Sequence, residues 1–306
     1  MKIFFKARYK FAVSKTKEVR MLRAKPIFTL TALILMILVS SCGGSATPPA
    51  DEVFKMFDTN NFSDSANIDN QWLPLTPGTQ WVYEGETVEA GQTVTHRVVI
   101  TVTDMTKEIS GVRSLATWDL DFSGGELVEA ELAFFAQDND GNIWRMGEYP
   151  EEYEDGKFVE APTWIHGLDD ALAGIAMPAD PQTGTPSYAE GWGPDVGWTD
   201  RGQVDQTGQS QCVPVDCYEN VLVIKESSQA EPDAFQLKFY APNVGNIYVD
   251  WTGADQTQEL LELVELNQLS PEEMTEVRAK ALEMEKHGRE VSPDVYGQTS
   301  PLETNK

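Results

Sequence analysis

The sequence predicts a mainly β protein, a curved antiparallel sheet or open β-barrel with one C-terminal α-helix. Three observations predict it. Apolar and polar residues alternate with period two through several segments after Trp72. Turn residues such as Gly124-Gly125 separate these segments. One capped helical pattern begins at Ser270. No internal repeat is evident.

The strands follow in order. Thr79 to Glu84 opens the series. In Thr93 to Thr103, Val94, His96, Val98, Ile100 and Val102 share one face, with Thr95, Arg97 and Thr101 opposite. In Val112 to Phe122, Ala116, Trp118, Leu120 and Phe122 oppose Arg113, Thr117, Asp119 and Asp121. Val128, Ala130, Leu132 and Phe134 continue the inward face against Glu129 and Glu131. One face is therefore read as wet, and the other as covered by the curling sheet or by the helix. Asn142 to Gly147 closes this meander. Tyr149 to Gly208 is rich in Gly, Pro, Asp and Trp and reads as long loops with short strands, such as Gly197 to Gln206. Strands resume over Tyr218 to Glu226, Ala234 to Tyr240 and Asn246 to Trp251. Gln258 to Leu266 suits a strand or a helix. Ser270-Pro271-Glu272-Glu273 then starts a helix over residues 271–287, with Met274, Val277, Ala281 and Met284 on one face and Gly288 as its stop.

The N-terminus carries a different signal. Nine Lys or Arg residues and one acid, Glu18, occupy residues 1–25. An apolar run from Ile27 to Val39 follows, shorter than the ~20 residues of a membrane-spanning helix. Val39-Ser40-Ser41-Cys42 resembles the lipobox of bacterial lipoproteins. That resemblance implies cleavage before Cys42 and diacylation of its thiol. The long basic segment suggests that translation starts at Met21 rather than Met1. The expected organisation is a signal peptide over 1–41, a flexible tether over 42–70, a β-rich domain over 71–290 and an irregular tail over 291–306. Gly43 stands where an aspartate would resemble an inner-membrane retention signal. The expected location is thus the cell envelope, in the outer membrane of a Gram-negative source and otherwise on the outer face of the plasma membrane.

Removing 41 residues, nine basic and one acidic, takes the formal net charge from −26 to −34. Such a surface opposes nucleic acid and anionic lipid head groups, so the expected membrane contact is the lipid on Cys42 alone. Cys212 and Cys217, in Cys-Val-Pro-Val-Asp-Cys, are expected to pair as a disulfide in an oxidising compartment. The scattered His96, His166 and His287 show no metal-ligand spacing.

Further segments resemble a group of bacterial exported proteins of unknown function. They are Leu73-Pro74-Leu75-Thr76-Pro77-Gly78-Thr79-Gln80-Trp81-Val82-Tyr83-Glu84, Ala136-Gln137-Asp138-Asn139-Asp140-Gly141-Asn142-Ile143-Trp144, and Phe239-Tyr240-Ala241-Pro242-Asn243-Val244-Gly245-Asn246-Ile247. Asn243 replaces the usual Gly of the last segment. The resemblance implies a β-rich lipoprotein fold and brings no activity or site residues with it.

Candidate chemistry is sparse. Asp138, Asp140 and Asn142 imitate the start of a calcium loop, but the twelfth loop position is Tyr149, and a hairpin turn accounts for the same residues. No Gly-x-Ser-x-Gly elbow, Walker motif or dinucleotide glycine motif is present, and no cofactor is implied. Trp164, Trp192 and Trp198 lie in the irregular region and are the candidates for a ligand surface. The leading reading is a non-enzymatic envelope protein that binds a small apolar ligand or an envelope partner through its curved β face. The alternatives are a hydrolase using carboxylates such as Glu148, Asp169 or Asp170, and a structural assembly role.

Overall fold

The computed structural model describes residues 54–304. The assigned leader, Cys42 and the first part of the tether lie outside the described residues. A first series of long hairpins comprises Thr79–Glu89 (β1), Gln92–Ile109 (β2), Val112–Ser123 (β3), Glu126–Gln137 (β4) and Ile143–Glu154 (β5). Short strands follow at Lys157–Glu160 (β6), Trp164–Ile165 (β7), Leu172–Met177 (β8), Tyr188–Ala189 (β9) and Gly191–Trp192 (β10). A second long series comprises Arg201–Cys212 (β11), Cys217–Ser227 (β12), Ala234–Ala241 (β13), Gly245–Gly253 (β14) and Leu260–Gln268 (β15). Helix α1, Pro271–Val291, comes next, and Glu303–Thr304 (β16) returns to pair with β2.

Local chemistry explains the tight hairpins. Ala90-Gly91, Ser110-Gly111, Gly124-Gly125 and Asp155-Gly156 all have positive φ at both positions. That is the geometry a two-residue hairpin turn needs to match strand twist. β2 runs six residues past Thr103, where the alternation ends. Its register against β3 shifts between Val102 and Thr106, and Thr103 Oγ1 donates to Ala116 O at 2.7 Å. The bulge breaks the period-two pattern, which is why the continuation is invisible in sequence. Residues 260–268 form a strand, paired with both β1 and β14.

In space the strands run β10-β8-β5-β4-β3-β2-β1-β15-β14-β13-β12-β11-β9. The antiparallel sheet nearly closes into a barrel, with one unsealed seam. The strands at its two ends belong to a single segment, Tyr188 to Trp192, with Glu190 between them. Glu190 N donates to Asp200 O at 2.8 Å. Gly174 of β8 permits this crossing, since a Cβ there would stand 2.4 Å from Ala189 O.

The barrel has an apolar cluster inside and a second outside. Trp81, Tyr83, Val98, Leu115, Leu222, Tyr240 and Leu263 belong to the inner one. Ala130, Leu132, Phe134, Trp144 and Tyr149 belong to the outer one, together with Ala281 and Met284 of α1 and Tyr296 and Leu302 beyond it. In β3 and β4 this reverses the inward face read from the alternation, whereas in β2 the face carrying His96, Val98 and Val102 is inward as read. Leu132 and Phe134 point outward, under α1. Asp119, Asp121, Glu129 and Glu131 point inward. The helix and the tail supply an apolar cover, so the apolar side of the first hairpins is buried from without.

Helix α1 starts with the expected capping box. Ser270 N donates to Glu273 Oε2 at 2.7 Å, and Glu273 N donates to Ser270 Oγ at 3.3 Å. It does not stop at Gly288. It continues to Val291, and Gly288 is where the Tyr149 and Tyr296 rings press closest, at 2.8 and 2.7 Å from a would-be Cβ. The tail beyond the helix is held by Tyr296 OH, which donates to Glu285 Oε2 at 2.6 Å. Lys107 Nζ donates to the same oxygen at 2.9 Å. Residues 54–70, counted with the tether, are also packed. The Phe57 and Phe62 rings lie 5.3 and 6.0 Å from Trp144, and Ile68 is buried. Their irregular spacing leaves no periodic trace. Cys212 and Cys217 form the expected disulfide across the end of the β11–β12 hairpin.

Candidate functional site

The residues singled out in the sequence go to different places. Trp164, Trp192 and Trp198 are all buried and present no outward ligand surface. Trp164 and Trp198 stack at 4.9 Å, and Trp164 Nε1 donates to Glu148 Oε2 at 2.9 Å. The loops that carry them fold against the barrel wall. Asp138, Asp140 and Asn142 form a turn. Asp138 accepts from Asn142 N at 2.8 Å, Asp140 N at 3.1 Å, Trp144 Nε1 at 2.9 Å and Lys55 Nζ at 3.2 Å. Burial pushes the Asp138 carboxyl up, but these donors together hold it below the usual range. Its oxygens are taken by N–H groups. Among the described residues no cluster of His, Cys, Asp or Glu is arranged to hold a metal ion. Asp169 and Asp170 sit exposed in a left-handed turn, with φ of 47° and 59°, while Glu148 is buried. The proposed hydrolase acids therefore do not converge.

A larger set of side chains converges on the inner wall of the barrel. It includes Glu148, and the Trp164 and Trp198 rings lie against Glu148 and Arg145. A tight turn at Gly124-Gly125 alone would set Leu120 opposite Glu129. A register shift between Asp121 and Phe122 sets Asp121 opposite Glu129 and Asp119 opposite Glu131. A further shift in β5 turns Arg145 and Glu148 to the same side, with Phe135 opposite Arg145 and Ala133 opposite Glu148. From the far wall come Glu226 of β12 and Gln236, Lys238 and Tyr240 of β13, all buried. Glu259 enters just before β15, and Glu190 enters from the seam.

Three bases answer some of these acids. His96 Nε2 lies 2.8 Å from Asp121 Oδ1, and its Nδ1 lies 3.2 Å from Glu259 Oε1. Burial lowers the imidazole pKa, and the two carboxylates more than reverse that, leaving it raised. Arg145 pairs with Glu148, and Lys238 Nζ lies 2.6 Å from Glu226 Oε2. Burial pushes Glu226 up, but Lys238 holds it at about 2. No basic side chain among the described residues forms an ion pair with Asp119, Glu129, Glu131 or Glu190. Burial raises Asp119 to about 7 and Glu190 to about 8, with the Glu226 charge adding to the latter. Burial also holds Glu129 and Glu131 well above the usual range, and neighbouring acids add to it. Asp119 Oδ1, Glu131 Oε1, Glu190 Oε1 and Gln236 Oε1 are buried acceptors that meet no donor.

Comparison with known proteins adds little to this geometry. No family model matches the chain, and no curated protein matches it. Two solved structures are similar. One is provisionally described as an exported protein with a YmcC-like fold from Bacteroides fragilis. It is 12% identical, with a TM-score of 0.39, over 65% of this chain and 100% of that one. The other, provisionally described as a lipoprotein from Parabacteroides distasonis, is 14% identical, with a TM-score of 0.35, over 65% and 99%. At that level of similarity neither bears on the inner wall.

Two of the segments singled out in the sequence, residues 73–84 and 239–247, meet in space. Trp81 Nε1 donates to Val244 O at 2.8 Å, and Gly245 lies under the Trp81 ring. Beside them is a surface crevice of about 280 Å³ lined by residues that include Pro74, Trp81, Asn243 and Leu266. Asn243 takes φ of 61°, a conformation Asn tolerates better than most residues other than Gly. These segments read as a structural joint. The inner-wall acids carry no comparable sequence motif. Their signal is the matched spacing of Asp119 and Asp121 with Glu129 and Glu131 across one turn.

Proposed function

We propose that this chain is a lipid-anchored protein of the cell envelope whose barrel binds a small ligand on its inner wall, without catalysis. The observation that carries the binding part is the set Asp119, Glu131 and Glu190. These are buried acids, and each has an oxygen without a donor. Like charges placed directly opposite across a sheet destabilise it. An unpaired buried carboxylate costs more still. Natural proteins break such local rules mainly at functional sites. An apolar ligand fits this wall poorly, because the wall offers hydrogen-bond acceptors and negative charge.

Native mass spectrometry of the protein purified from its own cells tests the binding part. A stoichiometric added mass, released on denaturation, is expected. Uniform absence of any bound small molecule would overturn the reading. The anchor rests on the basic leader, the apolar run and Cys42. Cys42→Ser is expected to abolish lipid labelling and to stop conversion to the mature membrane-bound form. Unchanged labelling and unchanged mature size would remove the anchor from the proposal. Gly43 in place of an aspartate favours the outer membrane in a Gram-negative source.

A further inference from the structure

We infer that the ligand of the inner wall is an aliphatic diamine or polyamine, held by Asp119, Glu129 and Glu131 on one side of the barrel and by Glu190 on the other. The inference rests on the binding role proposed above and names the chemistry of its ligand.

The polarity of the wall comes first. Its three bases are already engaged, with Asp121, Glu148, Glu226 and Glu259. Arg145 Nε and the hydroxyls of Thr117 and Tyr188 also meet no partner, but most of what is left over on this wall is carboxyl and amide oxygen. Four carboxyl groups have no basic partner among the described residues, and the Gln236 Oε1 atom, 96% buried by residue, has no donor. Gln236 is not part of the acidic set. Its unmet oxygen points independently to an occupant that donates hydrogen bonds. A neutral sugar offers donors but no charge, and an anion would be repelled. An organic ammonium offers both.

Geometry then favours an extended cation over a point ion. The carboxyl groups lie in rows across β3 and β4, Asp121 with Glu129 and Asp119 with Glu131. Successive inward positions on one strand are about 7 Å apart, close to the separation of the nitrogens in an extended four-carbon diamine. Within a row the side chains sit about 5 Å apart. Among the described residues no three acids converge on a point as a metal ion needs. A chain with an ammonium at each end reaches both rows, or one row and Glu190. Its methylenes can lie along inward apolar residues such as Leu115 and Phe135, which share this face. The raised proton affinity of Asp119 and Glu190 fits the same picture, because burial disfavours their ionised forms and a ligand ammonium placed beside them would offset that.

The test is isothermal titration of the mature protein in detergent with 1,4-diaminobutane and with spermidine, at fixed ionic strength. Saturable one-to-one binding is expected. 1-Aminobutane should bind at least tenfold more weakly, and calcium or magnesium chloride should give no saturable heat. The double variant Asp119→Asn, Glu131→Gln keeps shape and removes charge. It should fold at least as stably as the wild type by urea unfolding and lose tenfold or more in diamine affinity. If it fails to fold, Glu190→Gln serves as the second variant, with the same expected loss. Absence of saturable diamine binding overturns the inference, and so does wild-type affinity in the folded variants. The two proposals can fail separately. A co-purified molecule of other chemistry, with no diamine binding, sinks the polyamine and leaves the binding role. No co-purified molecule and no diamine binding sinks both.

Discussion

Raising the pH from 5 to 8 is expected to destabilise the ligand-free barrel, opposite to the usual gain of a protein leaving acid. Asp119 is raised from 3.8 to about 7 and Glu190 from 4.5 to about 8, chiefly by burial. In this window the unfolded chain has given up protons that the folded chain still holds. Stability therefore falls as pH rises, by about 1.4 kcal/mol per pH unit for each such group. The contribution is fully present below the unfolded pKa and is gone above the folded one, so the window runs from about pH 4 to about pH 8. Glu129 and Glu131, both raised, act in the same direction, and so does His96, whose raised affinity is lost as pH climbs. Glu226, held at about 2 against the pull of burial, acts in the opposite direction but only below about pH 4.5. Urea unfolding at pH 5, 6, 7 and 8 measures the slope. Asp119→Asn should make it shallower by about one proton. A flat or rising profile in the wild type would mean that the inner acids are already ionised and solvated.

Arg145→Leu should be the most damaging substitution of a single charge. The guanidinium is buried, pairs with Glu148 and lies in the field of Glu190 and Glu131. Burial works against its charge, and those acids more than restore it. Its loss strands Glu148 beside acids that already repel one another, at a cost of about 3–5 kcal/mol. Arg145→Leu with Glu148→Leu should recover most of this, although the Trp164 Nε1 bond to Glu148 is lost with it. Arg278→Leu is the control. Its pair with Asp104 spans α1 and the barrel, with side chains 29% and 25% exposed, and should be worth about 1 kcal/mol or less. Urea midpoints of the three variants and the wild type decide the matter. Equal losses for Arg145→Leu and Arg278→Leu would show that the interior is wet and its charges weakly coupled.

Much of the fold is legible in the sequence, and one feature is legible backwards. The alternation in Val128 to Phe134 and in Val112 to Phe122 marks real strands with two unlike faces. Which face is inside depends on partners far away in sequence. Met284 and Ala281 of α1 and Tyr296 of the tail cover Leu132 and Phe134, and nothing within β4 announces this. A helix with an apolar stripe and nothing else to cover was the available clue. The matched acids of β3 and β4 were the second clue, because a solvated face more commonly mixes charges of both signs. Glu190 had no such signal. Its place depends on a segment of two-residue strands too short to show any period. Trp164 and Trp198, singled out from their loop context, are buried as a stacked pair against Glu148 and Arg145 of the inner wall, a placement that their spacing in the sequence does not show.

The pairing of β1 with β15 has a consequence for the order of assembly. Thr79 lies opposite Gln268, so the first strand of the barrel is completed by its last long one. A ribosome delivers residue 79 long before residue 268. Until then β1 has its partner β2 on one side and a bare row of N–H and C=O groups on the other. The other series, growing from β11, presents a matching bare edge at β14. A chain interrupted before Leu260 would carry both edges permanently, and two such chains could satisfy each other strand to strand. The last nine-residue strand thus acts as a latch, withdrawing from the surroundings two adhesive borders that the growing polypeptide cannot hide by itself.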